Sequence, residues 1–494
     1  MHWIKTIAIP ESVSLLQQGS FYGCNNLDSI NIDTANPTYE SIDGVVLSKN
    51  GTILFICPPG KSGAYSIPDS VTTINGHAFY GCNKLTSVNI TEGVETINSM
   101  AFSECSSLTN VTLPSTVKSV SGGPFCLCSN LEAIFVDSNN SKFTSDDGVL
   151  YSKGKTSLIQ FPNGKSGDNY TIPDRVTGFA ISSFRGCHKL TNITITSHIT
   201  SIASFAFMDT GLKNVTISSS VTSIGNGPFA DCTNLTSINV DFDNNNFSSI
   251  DGVLFDKNGT TLIQFPAGKI VDHYSVPDSV ETVGYLSFGK SNIKSLTLLN
   301  NIKTIETRAF DGCKNMKSLS YLGTSAPSYG QNPFLNCDSL EFICTPENYL
   351  DHSFCGRTSV AYSEECTELE MKENKCNEVV PKNGTWVVQH KGEAFLWEEQ
   401  TDECVEYKCE NGTGNVAKNK CDQDSAYVCM NGECVKNDTI YERNTYVLII
   451  EIDASENIYI DTNVSGETIC TKPNVAVRKL LLSTGMTEPL QSSW

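Results

Sequence analysis

A phenylalanine recurs ten times at the same point of a short phrase, and this repetition constrains the fold more than any other feature. Most intervals between these residues are about 23 residues long, and three are about 59, so a longer unit is inserted three times. A period this short predicts a solenoid in which each coil buries its apolar side against its neighbours. The ten positions are Phe21, Phe79, Phe102, Phe125, Phe184, Phe207, Phe229, Phe288, Phe310 and Phe334.

The segment 85–105 is a clean copy of the short unit. Val88 and Ile90 alternate with polar residues, which predicts a half-buried strand that pairs in parallel with its equivalents in neighbouring coils. A second apolar segment around residues 94–97 predicts a short strand or turn on the far side of the coil. The phrase from Ala101 to Cys105 predicts one turn of helix that closes the coil, with the Phe as the large filler of the interior.

The three long intervals contain a second repeat, with a spacing of about 104 residues, that begins at Asp33, Asp137 and Asp241. Each copy continues through Asp-Gly to an apolar run, a short turn and a second apolar run. In the third copy the turn is Asn258-Gly259, and Asn-Gly between two β-prone runs predicts a hairpin. We therefore expect projecting hairpins near residues 33–66, 137–171 and 241–275.

The oxygen-rich start of the third insertion, residues 241–246, resembles part of a calcium-binding loop. Glycine is absent at the sixth position, however, and Gly252 stands where a bidentate Glu is required. The sister segments at Asp33 and Asp137 share the turn but not the set of oxygen ligands. These residues therefore predict a repeated Asx turn, with weak surface calcium binding as the alternative.

The cysteines fall into two populations. Eight of them follow the repeat Phe by three residues, and this position predicts small buried core residues without disulfide bonds. The ten from Cys344 to Cys470 lie outside the repeat, where closely spaced cysteines predict disulfides and an oxidising compartment. A zinc site is the alternative, although these spacings lack paired C-x2-C motifs and neighbouring histidines. The eight are Cys24, Cys82, Cys105, Cys128, Cys187, Cys232, Cys313 and Cys337.

The phrase Ile-Pro-x-x-Val-x-x-Ile-x-x-x-Ala-Phe-x-x-Cys-x-x-Leu, with the Asp-Gly-Val-Leu-Tyr/Phe insertion, resembles the BspA-like family of leucine-rich repeat proteins of bacterial and protist surfaces. The resemblance covers residues 4 to 345, about two thirds of the chain. Two copies depart from it, because Met208–Gly211 and Gly289–Ser291 lose the Cys. The resemblance implies a leucine-rich repeat solenoid and an adhesion or recognition role.

The sequence thus predicts a mainly β leucine-rich repeat solenoid with a parallel sheet, short helical turns and inserted β-hairpins, followed by a small cysteine-rich disulfide region. The expected domains are a repeat domain of about ten coils at 1–345, a cysteine-rich region at 346–440, and a β-hairpin with a loose tail at 441–494. No apolar run is long enough to span a membrane. No signal peptide is visible at the start, so the expected extracellular or cell-surface location has an intracellular one as its alternative.

Composition and motifs argue against several functions. The 34 Lys+Arg against 54 Asp+Glu give a formal net charge of −20, which disfavours nucleic acid and anionic bilayers as partners. No phosphate-binding loop or H-E-x-x-H motif occurs, and the seven histidines lack neighbours that indicate catalysis. We therefore expect a binding protein without enzymatic activity or cofactor. An intracellular interaction scaffold is the main alternative, and a secreted enzyme the distant one.

The outward residues of the strands define the predicted binding surface. They are small, uncharged and hydrogen-bonding, with Phe135 as the one aromatic anchor, so the face is expected to bind proteins or glycans. The alternative is that these residues only suit a solvated strand face. Glycans at Asn89, Asn110, Asn192 and Asn214, all in N-glycosylation sequons, would cover it and leave binding to the hairpins or the tail. The predicted binding residues are Asn110, Thr112, Phe135, Asn192, Thr194, Asn214, Thr216 and Asn239.

Overall fold

The structure is a computed structural model. It describes residues 4–17, 19–346, 348–351 and 353–358, together with the backbone of strands between residues 360 and 461. The first of its two compact units ends at Val360, and it contains all of the repeat.

Each coil begins with a strand of three to five residues, and these strands form one wall of the solenoid, here called the long-strand face. Within each sheet of this wall, neighbouring strands pair in parallel, as where Asn110 lies opposite Ala133 and Thr112 opposite Phe135. The strands are Thr6–Ile9, Ser29–Ile32, Gly63–Ser66, Leu85–Asn89, Asn110–Leu113, Ala133–Val136, Asn169–Thr171, Asn192–Thr194, Asn214–Ile217, Ser237–Val240, His273–Ser275, Ser295–Leu298, Ser318–Tyr321 and Phe342–Thr345.

The opposite wall, the short-strand face, consists of two-residue strands that also pair in parallel. In most of them the second residue is buried, such as Ile74 and Ile97, and the first is partly exposed. The strands are Thr73–Ile74, Thr96–Ile97, Ser119–Val120, Gly178–Phe179, Ser201–Ile202, Ser223–Ile224, Thr282–Val283, Thr304–Ile305 and Ser328–Tyr329.

The three insertions each contribute three strands to the short-strand face. Within each insertion, the first strand pairs antiparallel with the second, and the second pairs antiparallel with the third. The third strand then pairs in parallel with the first of the three short strands that follow, which gives three six-stranded sheets. The strands are Tyr39–Ile42, Val45–Ser48 and Ile53–Ile56; Phe143–Asp146, Val149–Ser152 and Ser157–Gln160; and Phe247–Ile250, Val253–Asp256 and Thr261–Gln264.

The predicted hairpins therefore exist, but they do not project from the solenoid. Three successive residues of each middle strand, such as Val45 to Leu47, are fully buried. The continuous apolar run in each middle strand is the sequence feature that indicates this burial, because such a run is typical of a strand covered on both faces. Each insertion is an expanded coil of the solenoid wall.

The remaining strands are Val360–Tyr362 and four antiparallel pairs within the second unit. These pairs are Val379–Lys382 with Thr385–Val388, Val405–Glu410 with Thr413–Asn419, Tyr427–Met430 with Glu433–Lys436, and Ile449–Ile452 with Ile458–Asp461.

The repeat phenylalanines stack along the interior. The ring centroids of Phe79 and Phe102 are 4.6 Å apart, and those of Phe184 and Phe207 are 4.9 Å apart. Two expanded coils add rings that the sequence repeat did not reveal, because Phe161 stacks on Phe184 at 5.2 Å and Phe265 on Phe288 at 5.1 Å. The expectation of about ten coils was therefore too low, since each expanded coil has its own long strand.

The prediction of short helical turns was wrong, because the residues that the structure describes contain no helix. Phe102 shows the reason: Met100 and Glu104, two residues to either side, have φ of 55° and 62°. An α-helix requires φ near −63°. The same pair of left-handed residues flanks all ten repeat phenylalanines, so each closing segment is formed by two tight turns.

Buried asparagines join the insertions to the preceding coil. The Asn140 side chain is fully buried, and its Nδ2 donates to the carbonyl oxygens of Pro114 at 2.8 Å and Val117 at 3.0 Å. Its Oδ1 accepts from the backbone N–H groups of Lys142 and Phe143, both at 2.8 Å. Asn36 and Asn244 do the same in the other two insertions.

The predicted Asx turns are confirmed. Asp33, Asp137 and Asp241 each accept a hydrogen bond at Oδ1 from the backbone N–H two residues later, at 2.9, 2.8 and 3.0 Å. These carboxylates therefore shape the turn that leads into each insertion.

The prediction for the repeat cysteines is confirmed. All eight are free thiols and seven are buried. The Sγ atoms of these seven lie against the backbone of the preceding coil, as where Cys128 donates to the carbonyl oxygen of Phe102 at 3.0 Å. Cys355, predicted to lie in the disulfide region, is also a buried free thiol, because it packs in the last apolar cluster of the solenoid. The side chains from Cys366 to Cys470 lie outside the described residues, and their disulfides stay a prediction.

Candidate functional site

All eight residues predicted to bind are exposed on the long-strand face. The strand alternation explains this, because the intervening residues Val111, Ile134, Val215 and Ile238 are buried. Phe135 leaves 49% of its surface exposed. An exposed aromatic ring held on a paired strand is an unusual feature for a solvated face and is well placed for contact with a partner.

Phe135 belongs to a small surface group. Its Cα partner across the strand pair is Thr112, and the residue pair Asn110–Ala133 lies next to it on the same face. We call Asn110, Thr112, Ala133 and Phe135 the Phe135 patch. The patch offers one aromatic ring, the methyl group of Ala133 and two hydrogen-bonding side chains without a charge.

The other predicted residues form two further groups. Asn192 and Thr194 lie opposite Asn169 and Thr171, two exposed residues that the sequence analysis left out of the binding set.

Asn214 and Thr216 lie opposite Ser237 and Asn239. In this last group Ser237 Oγ donates to Asn239 Oδ1 at 3.0 Å, and Thr236 Oγ1 donates to Asn214 Oδ1 at 3.1 Å. Each group sits on its own pair of strands, so the structure brings the predicted residues together in three sets.

Asp-Gly turns of the second and third expanded coils border two of these groups, beside Ile134 and Ile238. Beside the Phe135 patch, the carbonyl oxygen of Gly148 accepts the N–H of Ile134 at 2.8 Å. Gly148 has φ of 76°, and a Cβ there would lie 2.9 Å from Cβ of Ala133, so only glycine fits. The face is thus divided at fixed intervals by a backbone turn.

A lysine neutralises each of these turns. Lys165 Nζ lies 2.6 Å from the carbonyl oxygen and 3.0 Å from Oδ2 of Asp147. Lys61 makes the same two contacts with Asp43, and Lys269 reaches the carbonyl oxygen of Asp251 at 2.7 Å. The sequence carries this signal as Pro-x-Gly-Lys in all three insertions, although the sequence analysis missed it. At the margin of the Phe135 patch, the carboxylate of Asp147 is therefore paired with a cation.

His273 adds a titratable group to the same face. It is exposed, and its Nδ1 and Nε2 lie 2.8 Å from Ser295 Oγ and 3.1 Å from Ser275 Oγ. On this open strand face the ring forms part of a hydroxyl-rich surface.

The core thiols have little nucleophilic character. Burial raises the pKa of Cys105, Cys187 and Cys313 well above its usual range. Cys337 is an exception, since a hydrogen bond from Cys313 lowers its pKa, but it too is buried. Because the thiolate is the reactive form, these side chains act as packing groups.

In the part of the chain that the structure describes, no cluster of three or more His, Cys, Asp or Glu side chains is arranged to hold a metal ion. The same residues include no helix with the length and apolar character needed to cross a bilayer.

Stacked coils with parallel-stranded walls and a column of buried apolar residues define a leucine-rich repeat β-solenoid. The model of the BspA-type leucine-rich repeat region matches residues 2–53, 62–166, 157–273 and 268–370. The chain belongs to the BspA-type leucine-rich repeat family. No curated protein matches it.

Several solved structures are similar to this chain. A leucine-rich repeat protein from Eubacterium ventriosum is 21% identical, with 73% of this chain and 89% of that one covered and a TM-score of 0.39. The pneumococcal vaccine antigen PcpA is 20% identical, with coverage of 69% and 95% and a TM-score of 0.34. A leucine-rich cell surface protein from Faecalibacterium prausnitzii is 21% identical, with coverage of 74% and 81% and a TM-score of 0.31.

Proposed function

We propose that this chain is a non-enzymatic adhesion or recognition protein that binds proteins or glycans of host or neighbouring cells through its long-strand face. The observation that carries the proposal is the Phe135 patch, an aromatic ring among uncharged hydrogen-bonding side chains on a rigid sheet. Aromatic anchors surrounded by hydrogen-bonding groups provide much of the affinity at recognition surfaces. Membership of the BspA-type family supports a role in interaction.

The choice of face is tested with bulky charged substitutions. Beads coated with the purified chain are applied to cultured animal cells and counted after washing. Thr112→Arg and Thr216→Arg, both on the long-strand face, should abolish most attachment, because each places a long cation among uncharged contacts. Thr222→Arg is the matched control, since Thr222 is exposed beside the short-strand face. Equal attachment by all three variants would place the binding surface elsewhere.

The class of partner is tested on the same cells. If the face binds glycans, digestion of the cells with glycosidases before the assay should remove attachment. If the face binds protein, digestion with a protease should remove attachment and digestion with glycosidases should not. The hydroxyl and amide groups of the face suit sugar hydroxyls, and Phe135 suits stacking on either partner. Attachment that survives both digestions would contradict the proposal.

The extracellular location belongs to the same proposal. The cysteines from Cys366 to Cys434 are expected to form disulfides in protein from its natural source, and Asn258, an exposed sequon asparagine away from the long-strand face, is expected to carry a glycan. Peptide mapping without reduction measures both. Free thiols and unmodified asparagines throughout would instead favour the intracellular interaction scaffold.

A further inference from the structure

Cys337 packs in the core like the other repeat cysteines, but its surroundings differ from theirs. Only 2% of the residue is exposed, yet its chain neighbours Asn336 and Asp338 are both exposed, so its thiol lies just beneath the surface of the coil. Its Sγ donates to the carbonyl oxygen of Phe310 in the preceding coil at 3.0 Å. The thiol is therefore held in one place, close to solvent.

The preceding coil supplies a second thiol at the same backbone group. The Phe310 carbonyl oxygen also accepts the backbone N–H of Cys313 at 3.2 Å, and the Cys313 thiol donates a hydrogen bond to Cys337. The rings of Phe310 and Phe334, each three residues before one of these cysteines, have centroids 5.1 Å apart. This spacing of the coils lies within the roughly 4.4–6.8 Å that separate the two Cα atoms of a disulfide. Two thiols therefore meet at a distance that one covalent bond can span.

Arg357 places a cation beside this pair. Its Nη1 donates to the carbonyl oxygen of Leu340 at 3.0 Å and its Nη2 to that of Cys337 at 3.4 Å. The guanidinium also lies over the ring of Phe334, 5.7 Å from the ring centroid. The hydrogen bond from Cys313 lowers the pKa of Cys337, and the Arg357 cation lowers it further. Because the thiolate is the nucleophile, Cys337 is the attacking thiol of the pair and Cys313 the second one.

Cys105 and Cys128 provide an internal comparison. They occupy the same positions of two earlier coils, and a hydrogen bond also joins their thiols. Both are fully buried, and burial raises the pKa of Cys105 well above its usual range. Contact between two thiols is thus common to both pairs, whereas the arginine lies beside Cys337.

We propose that Cys313 and Cys337 form a redox-active dithiol, which a soluble disulfide such as oxidised glutathione converts to a disulfide bond between two coils. The Cys337 thiolate attacks one glutathione sulfur, and the first glutathione leaves and takes up the proton that Cys337 lost. Cys313 then loses its proton and attacks Cys337 Sγ, and the second glutathione leaves as a thiol. The two cysteines lose two electrons, and the glutathione disulfide gains them. The product joins the coil of Phe310 covalently to the coil of Phe334.

The test incubates the full chain with mixtures of reduced and oxidised glutathione, then quenches with acid, alkylates the remaining thiols under denaturing conditions and maps the peptides by mass spectrometry. Trypsin with a glutamate-specific protease separates the pair from Cys344, because Lys314 follows Cys313 and Glu341 follows Cys337. The linked Cys313–Cys337 peptide should increase as the oxidised fraction of glutathione rises. It should reach half of its maximum at a ratio of oxidised to reduced glutathione about tenfold or more below any ratio that links Cys105 to Cys128.

Single variants separate the roles of the two thiols. Cys313→Ser should leave one glutathione bound to Cys337, because no second thiol is present to release it, whereas Cys337→Ser should leave Cys313 unmodified. Cys128→Ser is the matched control and should leave oxidation of the Cys313–Cys337 pair unchanged. Circular dichroism checks that each variant folds like the wild type.

Two results would overturn the proposal. The first is a Cys313–Cys337 pair that stays reduced in oxidised glutathione alone, or that is oxidised no more readily than Cys105 and Cys128. The second is a Cys313→Ser variant that folds normally but binds no glutathione at Cys337.

Discussion

The three expanded coils are about 104 residues apart and share one backbone framework, but they differ in some interior residues and in some residues on the outer face. All three keep the buried asparagine, the Asp-Gly turn and the clamping lysine. At one interior position the three copies have Cys57, Phe161 and Phe265, and at one outward position they have Asn31, Phe135 and Asn239. The groups that satisfy buried backbone polar atoms are the same in all three copies, whereas the residue types at these interior and outward positions differ.

The largest effect on this comparison is expected from removal of the shared asparagine. Asn140→Ala leaves two backbone carbonyl groups and two backbone N–H groups without the side-chain partners that they have now. The free energy of unfolding should fall by about 3 kcal/mol. Urea-induced unfolding followed by circular dichroism measures it.

Asn139→Ala is the matched control, because Asn139 is the exposed neighbour of Asn140. It should change stability by less than about 0.5 kcal/mol. Equal losses for the two variants would mean that the buried amide is not what joins the insertion to the preceding coil.

The second prediction concerns a tyrosine pair present in the second expanded coil and absent from the first. Tyr151 and Tyr170 share a hydrogen bond between their hydroxyl groups, whereas Leu47 takes the place of Tyr151 in the first copy. The buried hydroxyl of Tyr65, the equivalent of Tyr170, has no partner within the described residues. Tyr151→Phe should therefore cost about 1 kcal/mol of stability.

Tyr65→Phe is the counterpart, and it should leave stability unchanged or raise it slightly, since it removes a buried polar atom that makes no bond. The same unfolding measurement serves both variants. If Tyr65→Phe were as costly as Tyr151→Phe, the difference between the two copies would not lie in this hydrogen bond.

The smallest effect is expected at the turn between the second and third inserted strands. Lys155 has φ of 54°, where the first and third copies have Gly51 and Gly259. Lys155→Gly should raise the free energy of unfolding by roughly 1 kcal/mol relative to Lys155→Ala. The alanine variant is the reference because both changes remove the exposed ion pair with Asp146. Equal free energies of unfolding for the two variants would contradict backbone strain at Lys155.

Regular spacing made the solenoid, the buried cysteines and the outward residues predictable, since each follows from the position of one Phe and the alternation of a strand. The conformation around that Phe was not predictable in the same way. Glu104, Leu127 and Lys290 adopt left-handed backbone angles that their side chains do not favour, so a helical turn was the natural expectation.

The aromatic position of the expanded coils was missed for a related reason. Phe161 and Phe265 lie in a Phe-Pro phrase without the repeat Cys, and the first copy has Cys57 instead. The interior stack depends on where the inserted strands return to the wall, which the spacing alone does not reveal. Among the candidate binding residues, exposure was predicted correctly, but their division into three sets depends on which long strands pair with each other.

The central claim is that recognition depends on the residues by which one copy of the framework departs from the others on its outer face. Phe135→Asn gives the second copy the residue that the first and third have at Asn31 and Asn239. Equilibrium binding of the labelled chain to cultured cells, measured by flow cytometry, should weaken about tenfold or more. Phe242→Asn, at a ring that is 93% exposed elsewhere, should bind like the wild type. Unchanged binding by Phe135→Asn, or an equal loss in both variants, would contradict the account.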